Sequence, residues 1–166
     1  MGDKIRVMYS EEEVDKRIRE LGEQISKRYE GKTVHMICVL KGGVFFACEL
    51  AKRITVPVSL DFMQVSSYGD ATESSGIVRI KKDLDDTMEN KEVIIVEDII
   101  DSGRSMKHLL EYLHAKNPKQ VIVATLFHKP KAAVCQVPIA YKGIELENDF
   151  VVGRGLDYDG LGRNYP

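Results

Sequence analysis

The sequence predicts an α/β fold organised on a mainly parallel sheet, and three observations carry that reading. Nearly unbroken apolar runs at 33–40, 93–96 and 121–127 have the character of strands buried on both faces. Segments with helical spacing of apolar residues separate them. Strand and helix therefore alternate along the chain, the pattern of parallel strands joined by helical crossovers.

The elements follow in order. Ser10 with Glu13 forms a capping box, and Val14, Ile18, Leu21, Ile25 and Tyr29 recur at spacings of three or four, so a helix is expected over 11–30 with Gly31 ending it. The first buried strand runs from Thr33 to Leu40. Lys41-Gly42-Gly43 interrupts the apolar run, and an apolar helix extends to about Ile54. Pro57 to Val65 alternates Val58, Leu60 and Phe62 with smaller or polar residues and reads as a strand. The long polar stretch 66–76 is expected to be a mobile loop, followed by a short strand over 77–81 and an acidic turn over 83–90. A second buried strand, 93–96, leads into Glu97-Asp98-Ile99-Ile100-Asp101-Ser102-Gly103, read as a strand-to-helix turn. Helical spacing resumes from about Arg104 through Met106, Leu109, Leu110 and Leu113, and Asn117-Pro118 stops it. A third buried strand over 121–127, a loop at Lys129-Pro130, a strand near 139–145 and a glycine-rich tail complete the chain.

A length of 166 residues fits a single domain, with a tail region over about 139–166. The net charge of −2 disfavours a sequence-independent nucleic-acid binder, and no apolar run is long enough to span a membrane. Cys38, Cys48 and Cys135 form no C-x-x-C pair; Cys38 and Cys48 sit among apolar residues and read as small hydrophobes. With no apolar signal core at the N-terminus, a reducing cytoplasm is the expected location.

The segment 97–105 concentrates the chemistry. In open parallel sheets, ligands bind beyond the carboxyl ends of the strands. Ser102, Gly103 and Ser105 offer small side chains, hydroxyls and backbone N–H groups ahead of a helix N-terminus, which together make a phosphate cradle. Glu97, Asp98 and Asp101 lie within five residues and repel one another. A hydroxyl-rich ligand, a metal or proton transfer would account for their coexistence; a helix-entry cap beside two solvated acids is the plainer reading. The chain carries neither a P-loop motif nor a dinucleotide-type G-x-G-x-x-G after a strand.

Val96-Glu97-Asp98-Ile99-Ile100-Asp101-Ser102-Gly103-Arg104-Ser105 resembles the phosphoribosyl-diphosphate signature of type I phosphoribosyltransferases, with Ser105 in place of the commoner Thr. The Ile99-Ile100 pair is similar to the hypoxanthine-guanine branch. Further resemblances follow in order: Val39 to Gly43 to the pyrophosphate loop, Asp61-Phe62 and Ser66-Ser67-Tyr68-Gly69 to the segment entering the mobile hood, Lys129-Pro130 to the purine-reading loop, and Phe150 to Gly153 with Leu156-Asp157-Tyr158 to the purine and metal tail. Arg163-Asn164 matches the late arginine. Two places depart from the family: Arg154 stands where an aromatic is common, and Gly160 and Gly162 flank Leu161 where bulkier residues are usual.

The resemblance implies the type I phosphoribosyltransferase fold, with a small hood and tail over the central sheet. It also implies a purine-salvage reaction. A 6-oxopurine, hypoxanthine or guanine, would take the phosphoribosyl group from phosphoribosyl diphosphate, giving IMP or GMP and pyrophosphate with Mg2+ as cofactor. Asp101 would be the general base for the purine N7 proton, a role that suits a carboxylate raised by acidic neighbours. Glu97 and Asp98 would face the ribose hydroxyls and magnesium, and Asp157 a second magnesium beside the purine. Asp101, Ser102, Gly103, Arg104 and Ser105 would hold the 5′-phosphate. Lys41, Gly42 and Arg163 would hold pyrophosphate, with a non-proline cis peptide before Lys41. Lys129 would read the purine O6, Phe150 would stack on the ring, and Val151 would offer backbone groups. Ser67 and Tyr68 would close over the reacting centre. The family's habit implies a homodimer or homotetramer. A xanthine-guanine enzyme and a phosphoribosyltransferase-like regulatory protein are the alternatives.

Overall fold

The computed structural model describes residues 4–67 and 78–166. Its elements are α1 (Glu11–Arg28), β1 (Val34–Leu40), α2 (Val44–Ala51), β2 (Val58–Ser67), β3 (Val78–Lys82), β4 (Glu92–Ile100), α3 (Arg104–His114), β5 (Gln120–His128), a 3-10 turn (Pro130–Ala132) and β6 (Tyr141–Glu145). The six strands form one sheet in the order β3-β2-β1-β4-β5-β6. All neighbours are parallel except β2 and β3. The mainly parallel α/β reading is therefore correct.

Local signals placed the helices well. Ser10 Oγ accepts the Glu13 N–H at 3.2 Å while Glu13 Oε1 accepts the Ser10 N–H at 3.3 Å, the reciprocal capping box. The helix ends at Arg28, two residues short of expectation, with Tyr29 as its cap. Helix α2 stops at Ala51 rather than Ile54, because the Arg53 and Ile54 N–H groups turn to the carbonyls three residues back.

Strand alternation divides the core in two. Met36, Cys38, Ile94 and Val96 face one side, under Val14, Ile18, Leu21 and Ile25 of α1 and Phe46, Ala47 and Leu50 of α2. Ile37, Val39, Val93, Ile95 and Val123 face the other, under Met106, Leu109, Leu110 and Leu113 of α3. The period of two along each strand and of 3.6 along each helix produces both faces from one chain. Arg17 ties α1 to the sheet edge, donating to the Gly143 and Lys142 carbonyls at 2.7 and 2.8 Å. Cys38 is buried, and burial pushes its thiol up to about 12. Cys48 is exposed on α2, contrary to its reading as a small hydrophobe.

The expected mobile loop, including Tyr68, lies outside the described residues apart from positions 66 and 67, which end β2. Below it, Asp61 organises the antiparallel end of the sheet. This buried carboxylate accepts the Phe62 N–H at 2.8 Å, the Asp85 N–H at 3.0 Å and the Asp86 N–H at 3.0 Å, pinning the turn after β3 to β2. Removing the acceptor leaves three backbone donors without it. Asp61→Ala is therefore expected to cost about 2–3 kcal/mol in urea unfolding; a loss under about 0.5 kcal/mol would show that water replaces the carboxylate freely.

Candidate active site

Strands β1, β4 and β5 lie side by side and parallel, so the segments that leave their carboxyl ends share one edge of the sheet. Those segments begin at Lys41, Asp101 and Lys129. Strand β2 follows β1 on one side, and β4, reached after β3, lies on the other side of β1, which places this edge at the topological switch point where α/β sheets bind ligands.

The central strand is longer than its apolar run. Strand β4 continues through Glu97 and Asp98 to Ile100, so these acids belong to the strand and only Asp101, Ser102 and Gly103 form the turn. The reason is nonlocal: Glu97, Ile99 and Ile100 are paired with Thr125, Phe127 and His128 of β5. Each of the three carboxylates accepts the N–H of the residue after it, Glu97 from Asp98 at 3.2 Å, Asp98 from Ile99 at 2.8 Å and Asp101 from Ser102 at 2.6 Å. These bonds fix three mutually repelling groups in distinct directions. Burial pushes the Glu97 carboxyl well above the ordinary glutamate value, helped by the hydrogen bond and charge of Asp98 and by the charge of Asp101.

Gly103 takes φ +82° and serves as the N-cap of α3 without a side-chain bond. The open first turn of α3 follows, with Ser102 Oγ within 3.4 Å of the Arg104 N–H and Ser105 beside it. The turn is braced from behind by a segment the sequence did not single out: the Val134 and Cys135 N–H groups both donate to the Ser102 carbonyl, at 2.9 and 3.1 Å. Lys129 is tied to the same place, its N–H donating to the Ile100 carbonyl at 2.9 Å.

On the other flank, the Leu40–Lys41 peptide bond is cis, as the resemblance implied. Lys41 is exposed. Gly42 lies directly against Asp98: a Cβ on it would stand 2.1 Å from Asp98 Oδ2. The tail closes onto the same loop, since a Cβ on Gly155 would stand 1.8 Å from the Gly42 carbonyl oxygen. Arg163 Nη1 donates to the Gly155 carbonyl at 2.5 Å and Nη2 lies 3.6 Å from Asp157 Oδ1, while Asp157 Oδ2 accepts the Gly160 N–H at 2.9 Å. Gly160 and Gly162, the departures noted in the tail, both take positive φ and form its turns.

Phe150 is 70% exposed, and its ring meets Tyr158 edge-on at 5.9 Å. Phe150 and Val151 line a cavity of about 500 Å³, together with the N-terminal arm 4–9 and Tyr165. That cavity does not include Asp101, Lys129 or Lys41. A separate, smaller cavity of about 190 Å³ opens at the strand ends, lined by Ile100, Asp101, Gly103, His128 and Pro130 among others. Ser67 ends β2, and Tyr68 lies outside the described residues.

Among the described residues no three His, Cys, Asp or Glu side chains cluster closely enough to enclose a metal ion. The carboxylates of Glu97, Asp98 and Asp157 still suit magnesium, which keeps water and phosphate oxygens as most of its ligands. Among the described residues no helix is long and apolar enough to cross a membrane.

The raised Glu97 carboxyl has a consequence for stability without metal. Its folded form binds a proton more readily than the unfolded chain, so its contribution is full below about pH 4.5 and is lost as pH rises through the folded value. Without divalent metal, Glu97→Gln is expected to gain melting temperature on the wild type between pH 4 and 8. Parallel melting curves across that range would show that Glu97 titrates normally.

The profile of the phosphoribosyl transferase domain matches residues 8–159. A hypoxanthine-guanine phosphoribosyltransferase of Mycobacterium tuberculosis is 48% identical over 164 residues, covering 95% of this chain and 81% of the relative. One from Streptococcus thermophilus is 44% identical over 161 residues, covering 97% and 89%. The crystal structure of a hypoxanthine-guanine phosphoribosyltransferase from Bacillus anthracis superposes with a TM-score of 0.94 at 36% identity, covering 98% of this chain and 95% of that one. With that agreement in sequence and in fold, the chain belongs to the phosphoribosyltransferase family, in its hypoxanthine-guanine branch.

Proposed function

We propose that the chain is a purine-salvage phosphoribosyltransferase that joins hypoxanthine or guanine to phosphoribosyl diphosphate, releasing pyrophosphate and IMP or GMP. The observation that carries this reading is the lateral order of three loops on one sheet edge: Lys41–Gly42 after β1, Asp101–Ser105 after β4 and Lys129 after β5. The order matches a substrate laid across the edge, with leaving group, 5′-phosphate and purine in turn.

Positive charge develops at the ribose anomeric carbon as pyrophosphate leaves. The chain's task is to hold both ends and exclude alternative geometries. The N–H groups at the start of α3, with the Ser102 and Ser105 hydroxyls, receive the 5′-phosphate, and Gly103 and Arg104 contribute backbone. Lys41 and Gly42 receive pyrophosphate through their backbone, with Arg163 approaching from the tail. Lys129 donates to the purine O6, which selects 6-oxopurines over adenine. Phe150, exposed and braced by Tyr158, stacks on the ring, and Val151 meets its edge. Asp101 takes the N7 proton, held at the mouth of the turn by the Ser102 N–H.

Magnesium, held by Glu97 and Asp98 with the ribose and by Asp157 with pyrophosphate, would supply charge neutralisation of the leaving group. The protein works as one domain in the cytoplasm, as a homodimer or homotetramer.

The direct test is nucleotide formation from phosphoribosyl diphosphate and Mg2+ with hypoxanthine, guanine, xanthine and adenine in parallel. Product with hypoxanthine and guanine is expected. Xanthine as the preferred base would move the chain to the xanthine-guanine reading, and no product with any base to a regulatory one. Asp101→Asn is expected to lower kcat roughly 10²- to 10³-fold with folding unchanged; an undiminished kcat would remove it as the base. Lys129→Ala is expected to raise the hypoxanthine KM roughly tenfold or more, the weight of a charge-assisted hydrogen bond. Equal KM in variant and wild type would place the lysine away from O6.

A further inference from the structure

Arg154 has no part in the chemistry above, yet its side chain is only 6% exposed. Nη1 donates to Glu49 Oε2 on α2 at 2.5 Å, and Nη2 pairs with Asp15 Oδ1 on α1 at 2.8 Å. Nη2 also donates to the Glu11 carbonyl at 3.3 Å. One planar group thus spans two helices that pack on the same core face. A single ion pair would let the tail swing about one point. Two carboxylates on different helices, met by a rigid fork, fix position and orientation together.

The backbone of Arg154 carries that placement onward. Its φ is +48°, in the left-handed region that non-glycine residues enter at a cost and keep only where the surroundings hold them. Its N–H donates to the Tyr165 carbonyl at 2.9 Å, closing the tail on itself. The next residue, Gly155, is the one that rests on the Gly42 carbonyl. Its own carbonyl accepts Arg163. From the buried guanidinium to the Lys41–Gly42 loop there is one residue of chain and one backbone contact.

We propose that Arg154 is a positioning residue for the diphosphate end of the site: its ion-pair strut to α1 and α2 sets the 153–156 turn on Gly42 and thereby holds the pyrophosphate-binding loop in its binding geometry. The proposal rests on the assignment of Lys41 and Gly42 to pyrophosphate made above. A device for stability alone would weaken both substrates alike when removed. A strut that ends on the 41–42 loop acts on the diphosphate and leaves the purine largely untouched. Lysine at this position restores the charge but reaches only one carboxylate, so it should rescue incompletely.

The test compares Arg154→Met, Arg154→Lys and Glu49→Gln with the wild type. Steady-state kinetics are combined with calorimetric titration of pyrophosphate plus Mg2+. For Arg154→Met the KM for phosphoribosyl diphosphate is expected to rise roughly tenfold or more, with a matching loss of pyrophosphate affinity and a hypoxanthine KM within about twofold of wild type. Arg154→Lys and Glu49→Gln are expected to fall between. A folded Arg154→Met with unchanged diphosphate KM and pyrophosphate affinity would overturn the strut, and so would equal losses on both substrates. If Arg154→Met does not fold, Glu49→Gln, which keeps the arginine, decides by the same readings. A wild type that makes no nucleotide but binds pyrophosphate overturns the salvage reading and leaves the strut to be judged on the titration. A wild type that does neither overturns both.

Discussion

The site hangs on a contact that no side chain could share. The backbone of Gly42 lies between the Asp98 carboxylate and the backbone of Gly155, so the loop after β1, the strand β4 and the tail meet at one residue. Any Cβ at 42 would sit inside Asp98, and any at 155 inside the Gly42 carbonyl. Three stretches far apart in sequence are thereby held at contact distance. What they can bind depends on that spacing. It also gives Asp98 a structural duty: a buried carboxylate stacked on a loop fixes that loop whether or not it also faces magnesium.

Electrostatics at this edge follow from the same closeness. The acids of β4 are spaced too tightly to be ionised independently. The fold answers in two ways. Each carboxylate is given the N–H of the following residue, and Glu97 is pushed toward its protonated form by burial and by Asp98. Asp101 lies exposed beyond the end of the strand. The motif therefore divides into an inner pair, with Asp98 buried, and an outer, exposed carboxylate at Asp101.

Legibility in the sequence tracked the range of the interaction. The capping box at Ser10 and Glu13, the start of α3 at Arg104 and the buried strands are written in residues a few positions apart, and all were read correctly. The end of β4 was not, because the acids of 97–98 look like a turn until the pairing with 125–128 is seen. The bracing of Ser102 by Val134 and Cys135 left no signal at all, since backbone donors need no particular side chain. Phe150 is another case: nothing in the residues around it announces that its ring is 70% exposed. Arg154 stands out in the sequence as a departure, but its meaning lies in Asp15 and Glu49, more than a hundred residues earlier in the chain.

That last pairing bears on how the tail can be ordered at all. Beyond β6 the chain has no regular strand or helix, and its backbone is held by isolated bridges between Gly153 and Leu156 and between Tyr158 and Leu161. Such short pairings nucleate poorly and tolerate slippage, because no ladder repeats to fix the register. A buried arginine is a costly anchor, since desolvating its charge consumes much of what its ion pairs return. It is a specific one, however: the guanidinium fits two carboxylates in one arrangement and no other. Where hydrophobic packing could hold the tail at several heights above Gly42, the arginine selects one. Stability in this segment is thus exchanged for position, the position of the tail on the backbone of Gly42.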